Sequence, residues 1–221
     1  MTKKIIISTQ KLKRGVKMIE KFCTYLTNKI GKEMPELTEE RLEAINYGLQ
    51  NIIGEIPKIF ITIAIGFCLG VGNLTIISFL VISIYRCLAG GFHAKTHIGC
   101  ITSTTLMYCG TAFLAKVIQF PSVYIRYITI FAVWIFAMIM IKLYAPADTE
   151  NVPILRKKER KQKQILSFII ASLELFAAAI IPNLIISNLM IFGILFETFT
   201  ITRFMYKLTN NKYGHEVYIE S

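Results

Sequence analysis

Acidic residues are scarce: fourteen Asp and Glu stand against twenty-five Lys and Arg, a net charge of +11. That imbalance points to anionic lipid headgroups or an acidic partner. Nucleic acid would satisfy the same charge, but a chain dominated by long apolar blocks leaves little soluble surface for it, and no nucleic-acid partner is expected. Cysteine is limited to Cys23, Cys68, Cys87, Cys100 and Cys109, an odd number with no CxxC pair. This excludes a disulfide framework and leaves each thiol, by default, as a small buried hydrophobe. The opening MTKKIIISTQKLKRG holds only a three-residue apolar run. A secretory signal needs a core of about 7–15 residues, so none is expected. No inverted repeat of the kind that marks many transporters is visible.

Apolar residues, by contrast, are abundant, at 54% of the chain, where soluble domains run about 45–50%. They gather in six segments, roughly 56–72, 74–88, 98–118, 123–144, 165–182 and 187–206. A crossing needs about 20 residues, so the chain is expected to be an all-α polytopic membrane protein with about six transmembrane or embedded helices. The second segment is short and ends in a polar motif. Pro182-Asn183 and Ser187-Asn188 predict a tight helical hairpin between the last two segments. Ahead of the spans, Leu12, Val16, Ile19, Cys23, Leu26 and Ile30 step by three or four among Lys13, Arg14, Lys17, Lys21 and Lys29. This is a basic amphipathic helix suited to a membrane surface, although a soluble packing helix has the same period. Thr38 is the expected N-cap of a second amphipathic helix marked by Leu42, Ile45, Leu49 and Ile52. The whole, 1–221, reads as one integral membrane domain: amphipathic helices in 1–53, membrane helices in 54–206 with a basic loop at 145–164, and a tail at 207–221.

Loop charge predicts orientation. Gly70–Asn73 and 182–188 carry no Lys or Arg, whereas Arg86 and Lys95, the 156–163 run, and Arg203, Lys207 and Lys212 are all on alternate connections. The positive-inside rule then places both termini and the 86–100 connection in the cytoplasm of a cell membrane.

That connection, RCLAGGFHAKTHIGC from Arg86 to Cys100, holds two of the three histidines and two of the five cysteines. Gly90-Gly91 interrupts the second segment just before His93, and glycine permits close chain approach. Cys100 opens the third segment, where the helix dipole favours thiolate, and His93 precedes it as a candidate base or ion-pair partner. The same residues admit two other readings: metal ligation by Cys87, His93, His97 and Cys100, or packing and headgroup contact.

RCLAGGFHA followed by Cys100 resembles the signature of the accessory gene regulator protein B family, integral membrane cysteine endopeptidases that process quorum-sensing propeptides. The stretch Leu143-Tyr-Ala-Pro-Ala-Asp-Thr-Glu-Asn-Val-Pro153, the basic run after it and the order of segments are similar too. The resemblance implies His93 and Cys100 as the catalytic pair, with Arg86 and Gly91 at positions the family depends on. It implies an acyl-thioester that a substrate cysteine or serine converts to a cyclic thiolactone or lactone, no metal or other cofactor, and a homodimer. It also implies a small propeptide partner with an acidic C-terminal tail, for which Arg156, Lys157, Lys158 and Arg160 are the candidate binders; a topology-setting role beside anionic lipid would need the same charges. Glu174 and Glu197 lie near mid-segment, where an ionisable group costs about 2.5–3.5 kcal/mol on insertion scales and is a functional candidate. They are expected to share a proton, to face a wet cavity, or to pack as neutral acids. A transporter or channel using these acids, and a scaffold without chemistry, are the competing functions.

Overall fold

A computed structural model describes residues 20–94, 96–150 and 153–219, with the side chains at 40, 44, 47, 51, 52, 97, 218 and 219 outside the description. Residues 12–19 of the expected surface helix, Lys95 and the His97 side chain therefore fall outside the described residues. The rest forms two compact units, within 1–61 and 62–221. Among the described residues there are helices and no strands, only one bridge between Gly90 and Ala147.

In the first unit, helix α1 (20–33) turns into helix α2 (Glu39–Cys68), whose residues from Thr62 on belong to the second unit. Gly31 lets the two approach, since a Cβ there would stand 3.0 Å from Leu42 Cδ1. Thr38 takes the N-cap place expected of it, its carbonyl accepting from the Arg41 and Leu42 amides at 3.0 and 3.1 Å. Helix α2 continues through Pro57. The second amphipathic helix and the first apolar segment are thus one 30-residue element.

The second unit holds α3 (Gly72–Ala89), α4 (His97–Val117), α5 (Val123–Tyr144), α6 (Lys157–Ile180) and α7 (Leu184–Thr200), then the short α8 (Arg203–Leu208) and α9 (Gly214–Ile219). Helix α7 is the axis, packed on by α3, α4, α5 and α6. Its sequence, LIISNLMIFGILFETFT, is apolar on every side, and a helix apolar all round must be enclosed. Its polar residues bind neighbours instead of water. Ser187 Oγ donates to Ala178 O at 2.7 Å, Asn188 Nδ2 to Ile118 O at 2.7 Å, and Thr198 Oγ1 lies 3.1 Å from Tyr85 Oη. The surrounding helices turn large apolar side chains outward, such as Ile128, Phe131, Ile135, Ile139 and Leu143 on α5. With five helices among the described residues long and apolar enough to cross, and the enclosed α7 at about 26 Å, this is the expected all-α polytopic membrane fold.

The hairpin between α6 and α7 forms where Pro182-Asn183 predicts it. Asn183 Oδ1 caps α7 by accepting from the Ile185 and Ile186 amides at 3.0 and 3.2 Å. Two boundaries differ from expectation. The basic run 156–163, expected in a loop, is helical from Lys157. Lys, Arg, Glu and Gln are good helix formers, and Glu159 pairs with Lys163 at 3.2 Å one turn on. The last apolar segment stops at Thr200, because Thr202 starts α8 by accepting the Met205 amide at 3.4 Å.

At Gly193 the axis touches α3: a Cβ there would lie 2.9 Å from Ile82 Cγ1. Gly193→Leu is expected to lower stability by about 1–3 kcal/mol through overpacking. Adding Ile82→Ala should recover part of the loss. Thermal unfolding of the full chain in detergent reads both; equal melting of Gly193→Leu and wild type contradicts the close approach.

Candidate functional site

The site is built around the end of α3. Gly90, at φ 77°, stops the helix, and Gly91 follows at φ 149°, conformations that side chains resist. One turn back, Arg86 Nη1 donates to both oxygens of Glu197 at 3.1 and 2.9 Å and to Thr200 Oγ1 at 3.4 Å. Its Nη2 donates to Phe92 O at 2.9 Å. One guanidinium therefore neutralises a fully buried carboxylate on α7 and grips the chain just before His93. Gly91 is pressed against this pair. A Cβ there would stand 2.7 Å from Thr200 Oγ1, 3.0 Å from Arg86 Nη1 and 3.3 Å from Glu197 Oε1. Arg86 and Gly91, singled out together by the resemblance, and Glu197, singled out as a mid-segment acid, form one contact.

His93 is exposed on the loop between α3 and α4, and its carbonyl accepts from Asn211 Nδ2 at 2.9 Å. Thr96 is the N-cap of α4: its Oγ1 accepts the Gly99 amide at 3.0 Å, and its carbonyl accepts the Cys100 amide at 2.8 Å. Cys100 thus sits in the first turn of α4, half-buried, where the dipole stabilises negative charge. All five cysteines are thiols. Cys23 and Cys109 are buried, whereas Cys68 and Cys87 are exposed.

A third anchor comes from residues that sequence reasoning did not single out as a site. The segment after α5 runs beside the glycines: Ala147 N donates to Ala89 O at 2.7 Å and Gly91 N to Ala147 O at 3.0 Å. Tyr206 Oη donates to the Ala147 and Asp148 carbonyls at 2.9 and 3.1 Å. The buried Asp148 carboxylate lies 2.7 Å from His215 Nδ1 and 3.2 Å from Arg160 Nη1. It also accepts the Ile154 and His215 amides, each at 2.9 Å. Burial pushes the Tyr206 and Tyr213 hydroxyls well above the usual tyrosine range, which keeps them as neutral donors. The chain's tail is thereby folded back onto the loop that carries His93. The visible signals were the Ala-Pro-Ala-Asp stretch and the third histidine.

The remaining candidates separate. Glu174 is half-buried on α6, and its Oε2 has no hydrogen-bond partner among the described residues. Arg156, Lys157 and Lys158 are exposed, while Arg160 is held by Asp148 and by Pro146 O. A cavity of about 340 Å³ opens between the ends of α5, α6 and α8, and neither His93 nor Cys100, Glu174 nor Glu197 lines it.

Asn211 ties the tail to the His93 carbonyl. Asn211→Ala is expected to cost that hydrogen bond about 1 kcal/mol, roughly fivefold in local opening. Amide exchange across 91–94 should quicken by that factor, and unchanged exchange would remove Asn211 from the anchor.

A family model described as Accessory gene regulator B matches residues 23–201. The Accessory gene regulator protein B of Staphylococcus aureus (strain JH9) is 31% identical over 183 residues, covering 83% of this chain and 91% of that one. An AgrB-like protein of Clostridium acetobutylicum is 26% identical over 200 residues, 89% of this chain and 91% of its own. Another from Clostridium perfringens is 26% identical over 161 residues, 72% and 75% of the two chains. No solved structure matches. The matched range takes in Arg86, Gly91, His93, Cys100 and Glu197 and leaves out Asn211 and His215. This chain belongs to the accessory gene regulator B family.

Proposed function

We propose that the protein is an integral membrane cysteine endopeptidase that processes a small quorum-sensing propeptide. The observation that carries this reading is the bracing of the His93 loop, ahead of a half-buried thiol in the first turn of α4. Arg86 holds Phe92 O, Ala147 O holds Gly91 N, and Asn211 holds His93 O. A catalytic base needs such support, because small misplacements cost large factors in rate.

In this reading His93 accepts the Cys100 proton, and the thiolate attacks the scissile carbonyl. The tetrahedral adduct collapses as His93 returns the proton to the leaving amine. This leaves an acyl-thioester on Cys100 and frees the acidic tail. A thiol or hydroxyl of the bound segment then exchanges onto the acyl group, closing a thiolactone or lactone and restoring the Cys100 thiol. Forming the thioester from the peptide bond is uphill and the exchange that follows is close to balanced, so the ring closes without a nucleotide when the cut tail is removed. Water must be kept from the acyl group, which a site at the membrane boundary favours. Arg156 and Lys158, both exposed and outside the cavity lining, hold the acidic tail; Lys157 and Arg160 face the cavity.

Alkylation tests the reading. Reconstituted protein treated with a thiol reagent should lose propeptide cleavage in step with labelling of Cys100. Pre-incubation with propeptide should slow both. Full cleavage at complete Cys100 labelling contradicts the proposal.

The orientation proposed with this function puts both termini, His93, Cys100 and the start of α6 in the cytoplasm. A cysteine placed at Lys158, in a background with the native cysteines other than Cys100 replaced, should resist an impermeant reagent on intact cells and react after lysis. Labelling on intact cells reverses the topology.

A further inference from the structure

The cavity of about 340 Å³ away from the catalytic candidates is lined by Lys142 at the end of α5, by Lys157, Arg160, Lys161 and Gln164 on one face of α6, and by Arg203 at the start of α8. Its one carboxylate, on Glu216, is taken by Arg203 at 2.6 Å. Arg160 is taken by Asp148. Lys142, Lys157 and Lys161 are exposed and form no ion pair among the described residues. Three unneutralised ammonium groups thus converge on one concave space.

Its depth is fixed by Gln164, whose Nε2 donates to the Ile141, Lys142 and Ala145 carbonyls at 3.1, 3.3 and 3.1 Å. That bond set levels Gln164 with the end of α5. Helix α6 begins seven residues earlier, at Lys157, and so rises about 10 Å past α5. A headgroup layer is roughly 5–8 Å deep on each side of the hydrocarbon. With the end of α5 taken as the hydrocarbon edge, Arg160 and Lys161, about 6 and 5 Å past it, fall within that layer and Lys157 at its outer face. Below it, Leu143 lines the cavity, and Ile139 and Ile135 continue the same exposed face of α5 at four-residue steps.

We propose that this cavity is a binding site for a phosphate-bearing anion, with an anionic phospholipid headgroup as its occupant and the acyl chain lying along Ile135, Ile139 and Leu143. The site differs from a diffuse basic loop in being concave, with its ammonium groups on two separate helices and an apolar track leading from it. It stands independently of the peptidase reading.

The test uses the purified full chain in detergent, with dioleoyl phosphatidylglycerol and dioleoyl phosphatidylcholine as probes and native mass spectrometry as readout. Phosphatidylglycerol should be retained at least about tenfold more than phosphatidylcholine. Lys142→Gln/Lys161→Gln should remove most of that preference, and Lys142→Arg/Lys161→Arg should keep it; both pairs are exposed, and unchanged melting temperatures confirm folding. Sodium phosphate identifies the source: failure to displace the lipid assigns the phospholipid, whereas full displacement by millimolar phosphate assigns a soluble phosphate group at the same site. Equal retention of the two lipids overturns the proposal. So does undiminished preference in a folded Gln variant, or an octaglutamate peptide that binds more tightly than phosphatidylglycerol and is lost in the same variant.

Discussion

Cys100→Ala and His93→Ala are each expected to reduce propeptide cleavage by roughly 10⁴-fold or more, the scale seen when one member of a nucleophile–base pair is removed. The double variant should be no worse than either single, because the two groups act as one unit. The other cysteines give the contrast. Cys68 and Cys87 are exposed and should tolerate Ala. Cys109 is buried and donates to Thr62 O at 3.3 Å, so its Ala variant should lose some stability and keep its rate. Quantitative cleavage by reconstituted protein, normalised to inserted protein, reads all six variants. A Cys87→Ala loss as deep as that of Cys100→Ala would assign the nucleophile wrongly here.

Glu197→Gln is expected to be severe and Glu174→Gln nearly silent. Glu197 is fully buried, and its two oxygens share Arg86 Nη1. Neutralising it leaves a guanidinium that is 25% exposed without its counter-charge; breaking a fully buried pair costs about 3–5 kcal/mol, and the exposure puts this loss toward the lower figure. The loss reaches the site directly, because the same guanidinium holds Phe92 O one residue before His93. Glu174 has no such partner, and Gln keeps its shape. The pair Arg86→Met/Glu197→Leu separates stability from function. Replacing both charges by apolar groups is often neutral or better for stability, so melting should recover while cleavage stays low, Phe92 O having lost its donor. Wild-type melting and cleavage in Glu197→Gln would dissolve the link between this ion pair and the loop.

The legible parts of this molecule were local ones. The spans follow from length and hydropathy, the stop at Gly90 from two adjacent glycines, and the hairpin from Pro182-Asn183. Glu174 and Glu197 look alike in hydropathy, yet one meets Arg86 across 111 residues and the other does not. The contacts between Asn211 and His93, and between Asp148 and His215, likewise join positions 118 and 67 residues apart. Periodicity along one chain carries no information about such pairings. The basic run misled for a different reason: charge placed it outside the bilayer but is silent on whether it is helix or loop, and its composition favours helix. His93 and Cys100 stood out through the crowding of scarce residue types, while the specific roles proposed for them rest on the family.

The most direct measurement is intact-protein mass spectrometry of reconstituted protein quenched in acid during turnover of its propeptide. An adduct with the mass of the N-terminal propeptide fragment less water is expected, mapped to Cys100, released by hydroxylamine and absent from Cys100→Ala. Efficient propeptide cleavage by the Cys100→Ala protein, with no such adduct in wild type, would contradict the proposed mechanism.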